Sequence, residues 1–204
     1  MNSHKFNKDY YEDGVRKHLS GYENYRWLPT RSIPEALEIK NNFKFDTCID
    51  FGCAKGFLVH ALRILGCDAY GEDISEYALE NCIPKVKPYL SFPTQKSYDL
   101  LICKDVLEHV AENDLPNLLN KLSTKAEQFF FVVPLGDVGR FRIREYEVDV
   151  THVTKKDEEW WINLFNQNGY KLIDFSYSFG EMKKKWTKPY PCGNGFFVLE
   201  KNDS

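Results

Sequence analysis

A chain of 204 residues, 43% hydrophobic, 15% aromatic and 28% charged, has the length and composition of one globular domain with a sizeable core. Its formal net charge of −3 supplies no global basic field, so nucleic acid is not an expected partner. No apolar stretch is long enough to span a membrane, no signal-peptide pattern is present, and six scattered cysteines without a C-x-x-C pair read as reduced residues of a cytoplasmic protein.

In chain order, residues 1–42 carry many large rings (Phe6, Tyr10, Tyr11, Tyr22, Tyr25, Trp27) and are predicted to fold back as a helical lid. A helix is expected over 30–42, with Pro34 in its first turn. The remainder, 43–204, reads as an α/β core. A strand at 46–51 leads to a helix at 56–65 that stops at Gly66. A second strand at 67–72 precedes a helix capped by Ser75 and running to about Cys82. Pro84, Pro88 and Pro93 make 84–97 irregular, apart from a short strand near 86–90. A strand at 98–103 precedes a helix over 106–122, broken near Pro116. The apolar run at 128–135 suits a strand buried on both faces. After a long connection at 136–152 come a helix at 155–168 and strands at 170–177 and 196–201, separated by a basic loop at 179–195. This alternation predicts one domain over 1–204: a doubly wound, Rossmann-like α/β fold with a seven-stranded, mostly parallel sheet and an antiparallel last strand. Ligands of such sheets sit at the carboxyl ends of the strands.

The first such end reads CIDFGCAKGFL at 48–58. Glycines there let the backbone approach a ligand, and the following helix offers free N–H groups. The turn is D-x-G-x-x-x-G, not the G-x-G-x-x-G of nicotinamide sites. The next strand ends at Asp73, 23 residues after Asp50, where a carboxylate can accept hydrogen bonds from both hydroxyls of a ribose. A plainer reading leaves the glycines for tight packing and Asp73 for capping the next helix. Together, the pieces DFGCAKG, GEDIS, YDLLIC, KDVLEHV and DVTHVTKKDEEWWINLF resemble the class I S-adenosylmethionine-dependent methyltransferases of small-molecule type, over roughly residues 45–175. The resemblance implies S-adenosylmethionine as cofactor. It implies that Gly52, Cys53, Ala54 and Gly56 line the methionine part, that Asp50 holds its amino group, that Asp73 grips the ribose and that Ile74 packs on the adenine. Lys104 is placed beside the sulfonium through its backbone, and Tyr11 is expected over the cleft from the N-terminal segment. Residues 86–97 lack the acid that the family often sets against the adenine amino group; Leu90, Ser91 or a backbone carbonyl is expected to substitute.

Methyl transfer from a sulfonium is a direct displacement that needs an aligned nucleophile and, for a hydroxyl, a base or a metal. The candidates are Asp105, Glu108, His109 and the distant His152. Three readings stay open. Asp105 and Glu108 match a helix capping box. Asp105, Glu108, His109 and His152 could together bind a divalent cation, which resembles the Glu-x-x-Glu-His metal site of ubiquinone-pathway O-methyltransferases and small-RNA 3′-terminal 2′-O-methyltransferases, with Asp105 as the shorter first ligand. Metal-free catalysis would use His109 or His152 as base beside Asp105, and the working expectation holds no metal. Arg140, Arg142 and Arg144 would share one face of an extended segment, and with Lys183, Lys184, Lys185 and Lys188 they point to an anionic acceptor. Tyr146, Phe179, Trp186 and Tyr190 could stack on a sugar or ring. The expected activity is methyl transfer to a small anionic or sugar-type acceptor, a metabolite or glycan, at oxygen. The alternatives are a metal-dependent RNA 2′-O-methyltransferase and a non-catalytic S-adenosylmethionine-binding protein.

Overall fold

The alternation of strand and helix is realised in the computed structural model, which describes residues 3–202. After a 3-10 turn at Ser3–Lys5 come α1 (Lys8–Glu12) and, across irregular chain, α2 (Pro29–Asn42). The core continues with β1 (Thr47–Phe51), α3 (Phe57–Ile64), β2 (Asp68–Glu72), α4 (Glu76–Glu80), β3 (Leu90–Ser91) and β4 (Leu100–Lys104). Then follow α5 (Leu115–Leu122), β5 (Gln128–Pro134), a small hairpin of β6 (Gly136–Asp137) and β7 (Arg140–Phe141), and α6 (Glu158–Gln167). The chain closes with β8 (Tyr170–Ser176), α7 (Lys184–Thr187) and β9 (Asn194–Lys201).

The seven-stranded sheet has the order β3-β2-β1-β4-β5-β9-β8. The first five strands are parallel, and β9 runs antiparallel to both β5 and β8. The order reverses between β1 and β4, which opens a crevice at their carboxyl ends. The apolar run of β5 alternates its rings between the two faces. Phe129 and Phe131 meet Trp161, Phe165 and Tyr170, while Phe130 and Val132 meet Ile39, Phe43 and Leu62. Local signals set the helix starts: Ser75 accepts from Ala78 N at 3.0 Å, and Asp157 accepts from Trp160 N at 2.9 Å.

Several expected elements change. Helix α2 starts at Pro29, so Pro34 lies inside it and costs one bond to the preceding turn. Residues 106–122 are not one helix. No α-helix starts at Asp105, which sits at φ 58°; 3-10 turns at Leu107–His109, preceded by Val106 without a side-chain cap, and at Glu112–Asp114 follow. Pro116 therefore lies in the first turn of α5 and opens it. Segment 140–144 is extended only at Arg140–Phe141 and turns into a 3-10 helix at Arg144–Val148, so the three arginines form no common row. Among the described residues no helix is long and apolar enough to cross a membrane.

Candidate active site

The turn after β1 is set by its glycine. Gly52 adopts φ +81°, and a Cβ there would lie 2.3 Å from Val106 Cγ2. Gly52 N and Cys53 N donate to Glu72 O at 2.7 and 3.1 Å, which draws the turn against the end of β2. There Asp73 takes Ala54 N on Oδ2 and Ser75 N on Oδ1, each at 2.7 Å. Burial raises the Asp73 carboxyl, and bonds from the Ser75, Ala54 and Ile74 N–H groups oppose that shift.

These residues border a cavity of about 410 Å3. Asp50, Gly52, Cys53, Ala54, Asp73, Ile74, Lys104 and Tyr11 all line it. Gly56 does not: it opens α3 at φ +72°, and its absent Cβ makes room for Leu90, 2.7 Å away. The expected adenine partners are displaced too. Ser91 O accepts Asp73 N at 3.1 Å, and Pro93 is the residue of that segment that reaches the cavity. Burial pushes the Asp50 carboxyl up to about 7, although Lys104 opposes the shift.

The N-terminal chain roofs this cavity. Phe6 O accepts Ser75 Oγ at 2.5 Å, Glu12 takes Lys55 Nζ at 2.5 Å, and Tyr25 O takes the same ammonium at 2.9 Å. Tyr11 and Tyr22 stack at 6.1 Å, and Tyr25 lies on Phe57 at 4.8 Å. Arg31 and Glu35 reach in from α2, where helical periodicity alone gave them no functional role.

A buried charge cluster marks the inner end. Lys104 Nζ lies 2.9 Å from Asp105 Oδ2 and 3.9 Å from Glu35 Oε2. Lys183, held at φ 54° and buried, pairs with the other Asp105 oxygen. Its ammonium also bonds Tyr146 OH at 3.0 Å and Asn194 Oδ1 at 2.9 Å. Burial alone would raise the Asp105 carboxyl, but the Lys104 and Lys183 ammonium groups hold it well below the carboxylate range. In the sequence Lys183 stands only as part of a basic run.

Beyond this cluster, Glu108, His109 and His152 each offer one ligand atom, all within 4.8 Å of one another. Glu108 is buried, its Oε2 has no hydrogen-bond partner, and burial raises its carboxyl far above the ordinary value. His152 Nε2 lies 4.0 Å from Glu108 Oε1. The His152 Nδ1 bonds Tyr146 O at 2.8 Å, so that nitrogen carries the proton. Burial lowers the His109 imidazole to about 4 and also lowers His152. The donor set therefore fits a divalent cation at three of the four resembling positions. Asp105 is the exception, because both its oxygens face lysines.

A second cavity, about 900 Å3, adjoins the first. Tyr10, Tyr22, Arg31, Glu35, Asp105 and His109 line both. Tyr146, Trp186, Lys183, Lys184 and Lys185 line the second. The predicted arginine row does not contribute to it. Arg142 is tied to Asp137 at 2.7 Å and Glu158 at 2.8 Å, while Arg140 and Arg144 are exposed and line neither cavity. Phe179 is spent in the core against Phe43, Phe130 and Phe196, and Tyr190 and Lys188 also lie outside both linings.

The family described as "Methyltransferase domain" matches residues 22–174. Among curated proteins no sequence matches the chain. Of solved structures, the mitomycin 7-O-methyltransferase MmcR superposes with a TM-score of 0.62 at 13% identity, over 93% of this chain and 65% of that one. The chain thus spans about two thirds of that enzyme's length. Magnesium protoporphyrin IX methyltransferase from Synechocystis PCC 6803, with bound S-adenosylmethionine, gives 0.56 at 17% identity, over 83% of this chain and 76% of that one. The small RNA methyltransferase HEN1 gives 0.62 at 17% identity, over 87% of this chain and 26% of that one. At these identities the likeness is one of fold. With the family match covering the crevice, the turn and the strand ends, the chain belongs to the methyltransferase-domain family as a class I methyltransferase with S-adenosylmethionine as its cofactor.

Proposed function

We propose that the protein transfers a methyl group from S-adenosylmethionine to a hydroxyl of a small anionic or sugar-type acceptor. The observation that carries this reading is the meeting of the two cavities at His109 and Asp105. The smaller cavity takes the cofactor. Asp73 faces the ribose, Ile74 the adenine, and Asp50 the ammonium of the methionine part, with Arg31 and Lys104 as nearby cations for its carboxylate. S-adenosylmethionine supplies an electrophilic methyl. The larger cavity takes the acceptor, where Arg31 and Lys185 provide positive charge and Tyr146 and Trp186 provide ring faces. His109, neutral and lining both cavities, accepts the hydroxyl proton as the methyl moves. The roof keeps water from the reacting atoms. A cytoplasmic setting belongs to the proposal, and the six unpaired thiols fit a reducing compartment.

One observation favours a second reading. Glu108, His109 and His152 converge and Glu108 keeps an unpartnered oxygen, and these three would hold a divalent cation that lowers the acceptor hydroxyl's pKa. That reading also admits an RNA 2′-hydroxyl as acceptor.

The test is transfer of label from S-adenosylmethionine into cell extract divided into RNA, protein and small-molecule or glycan fractions, each with and without chelator. Label in the small-molecule or glycan fraction, unaffected by chelator, is the expected outcome. Label in RNA that disappears with chelator replaces the first reading by the second. A protein that binds S-adenosylmethionine but labels no fraction refutes both and leaves a binding protein.

A further inference from the structure

The Thr151 hydroxyl has one hydrogen and two neighbours that compete for it. Asp149 Oδ1 lies 2.5 Å away and His109 Nδ1 2.7 Å away. A carboxylate oxygen only accepts, so the hydroxyl hydrogen goes to Asp149. Towards His109 the same oxygen is then an acceptor, and Nδ1 must bring the proton. We infer that Thr151 and Asp149 are positioning residues that hold His109 as its Nδ1–H tautomer and leave Nε2 as the lone pair available for the acceptor hydroxyl. The inference rests on the reading of His109 as the group that meets the acceptor.

Asp149 is itself fixed. Its Oδ1 also accepts Thr151 N at 2.9 Å, and its Oδ2 accepts Tyr10 OH at 2.7 Å from the roof. With these donors supplied, the carboxylate has no reason to turn away from Thr151. The backbone locks the partners together as well. Val153 N and Thr154 N donate to Glu108 O at 2.8 and 3.0 Å, and Thr154 Oγ1 donates to Val110 O at 2.6 Å. Segment 149–154 is thereby stitched to 108–110, and Thr151 stands over the His109 ring edge.

The interposed hydroxyl has a chemical consequence. A carboxylate in direct contact with an imidazole orients it and also favours its charged form. A neutral hydroxyl between the two gives the orientation while the charge stays one bond further off. His109 is therefore a base aimed by an acid that does not touch it. Nothing in the local sequence announces this, because Thr151 lies 42 residues from His109.

The experiment reads the tautomer directly. Ring-nitrogen correlation spectra of 15N-histidine-labelled, chelator-treated protein are recorded at pH 7.5, and the His109 pattern is assigned by its loss in His109→Gln. The expected wild-type pattern is Nδ1–H with a bare Nε2. Thr151→Val removes the acceptor, so the Nε2–H form gains at least an equal share. Thr151→Ser restores the wild-type pattern, and Asp149→Ala, which removes the oxygen that takes the hydroxyl hydrogen, mixes the two forms. An Nε2–H pattern in the wild type overturns the inference without any variant. An unchanged pattern in a folded Thr151→Val protein overturns it as well. Failure of the catalytic reading is seen separately, as undiminished label transfer by His109→Gln.

Discussion

Replacing Lys183 by methionine tests whether the buried charge cluster organises the acceptor side. The side chain is 4% exposed and its ammonium has three partners: Asp105, Tyr146 OH and Asn194 Oδ1. Removing one partner of a buried ion pair costs about 3–5 kcal/mol, because the remaining charge is left uncompensated. Asp105 keeps Lys104 at 2.9 Å, and its side chain retains 25% exposure, so the low end, about 3 kcal/mol, is expected. For a chain of this size, each kcal/mol moves the thermal midpoint by about 2–4 °C, so the midpoint should fall by roughly 6–12 °C. Urea unfolding at pH 7 measures the same quantity. Asp105→Asn in combination should recover part of the loss, since the lysine and the aspartate then no longer depend on each other. The pH dependence has a definite sign. Asp105 is depressed in the native state, so its contribution is present above the ordinary carboxylate pKa and is lost as pH falls through the native value. Lys183→Met should weaken that acid-side dependence. A loss below about 1 kcal/mol, or strict additivity of the two substitutions, would show that the cluster holds nothing together.

Asp73→Asn should weaken S-adenosylmethionine binding by roughly 1.5–3 kcal/mol, read by calorimetry, since an amide nitrogen replaces one of the two charged oxygens proposed to accept from the ribose hydroxyls; unchanged affinity in a folded variant contradicts the ribose assignment. Binding of S-adenosylmethionine should tighten from pH 6 to pH 8 as Asp50, raised to about 7, ionises among Lys104, Asp73, Glu35 and Asp105, and Asp50→Asn should flatten the profile. The same raised carboxyl makes the ligand-free protein lose stability as pH rises through about 7, and Asp50→Asn should remove that slope in urea titrations. Gly52→Ala should abolish cofactor binding and lower the thermal midpoint, because its methyl would meet Val106 at 2.3 Å in a left-handed backbone.

What was legible in the sequence was local. Ser75 caps a helix three residues on, so spacing alone placed it, while the cofactor roles of Gly52 and Asp73 came with the family resemblance. The sheet followed from apolar runs such as 128–134. The cluster of Asp105 and Lys183 joins residues far apart in the chain, and a lysine in a basic run carries no mark of burial. Arg142 failed in the opposite sense: an extended reading of 140–144 offered a free cation, but the chain turns at Arg144 and Asp137 and Glu158 claim the guanidinium. The capping reading of Asp105 and Glu108 failed because no α-helix begins there: a short 3-10 turn follows, and the Asp105 oxygens go to Lys104 and Lys183. Gly56 was read as a ligand contact when it serves Leu90.

The roof of residues 3–28 is fastened on both flanks, by Ser75 and Lys55 on the cofactor side and by Asp149 on the acceptor side. A clamp of this kind turns turnover into a question of traffic. If the roof has to lift before spent cofactor can leave, these hydrogen bonds release together, and departure becomes an opening event with its own rate. Tyr10 sits at the point where both flanks would feel that event. Where that event limits turnover, loosening a single tyrosine would change throughput with no change to the atoms that carry the methyl group.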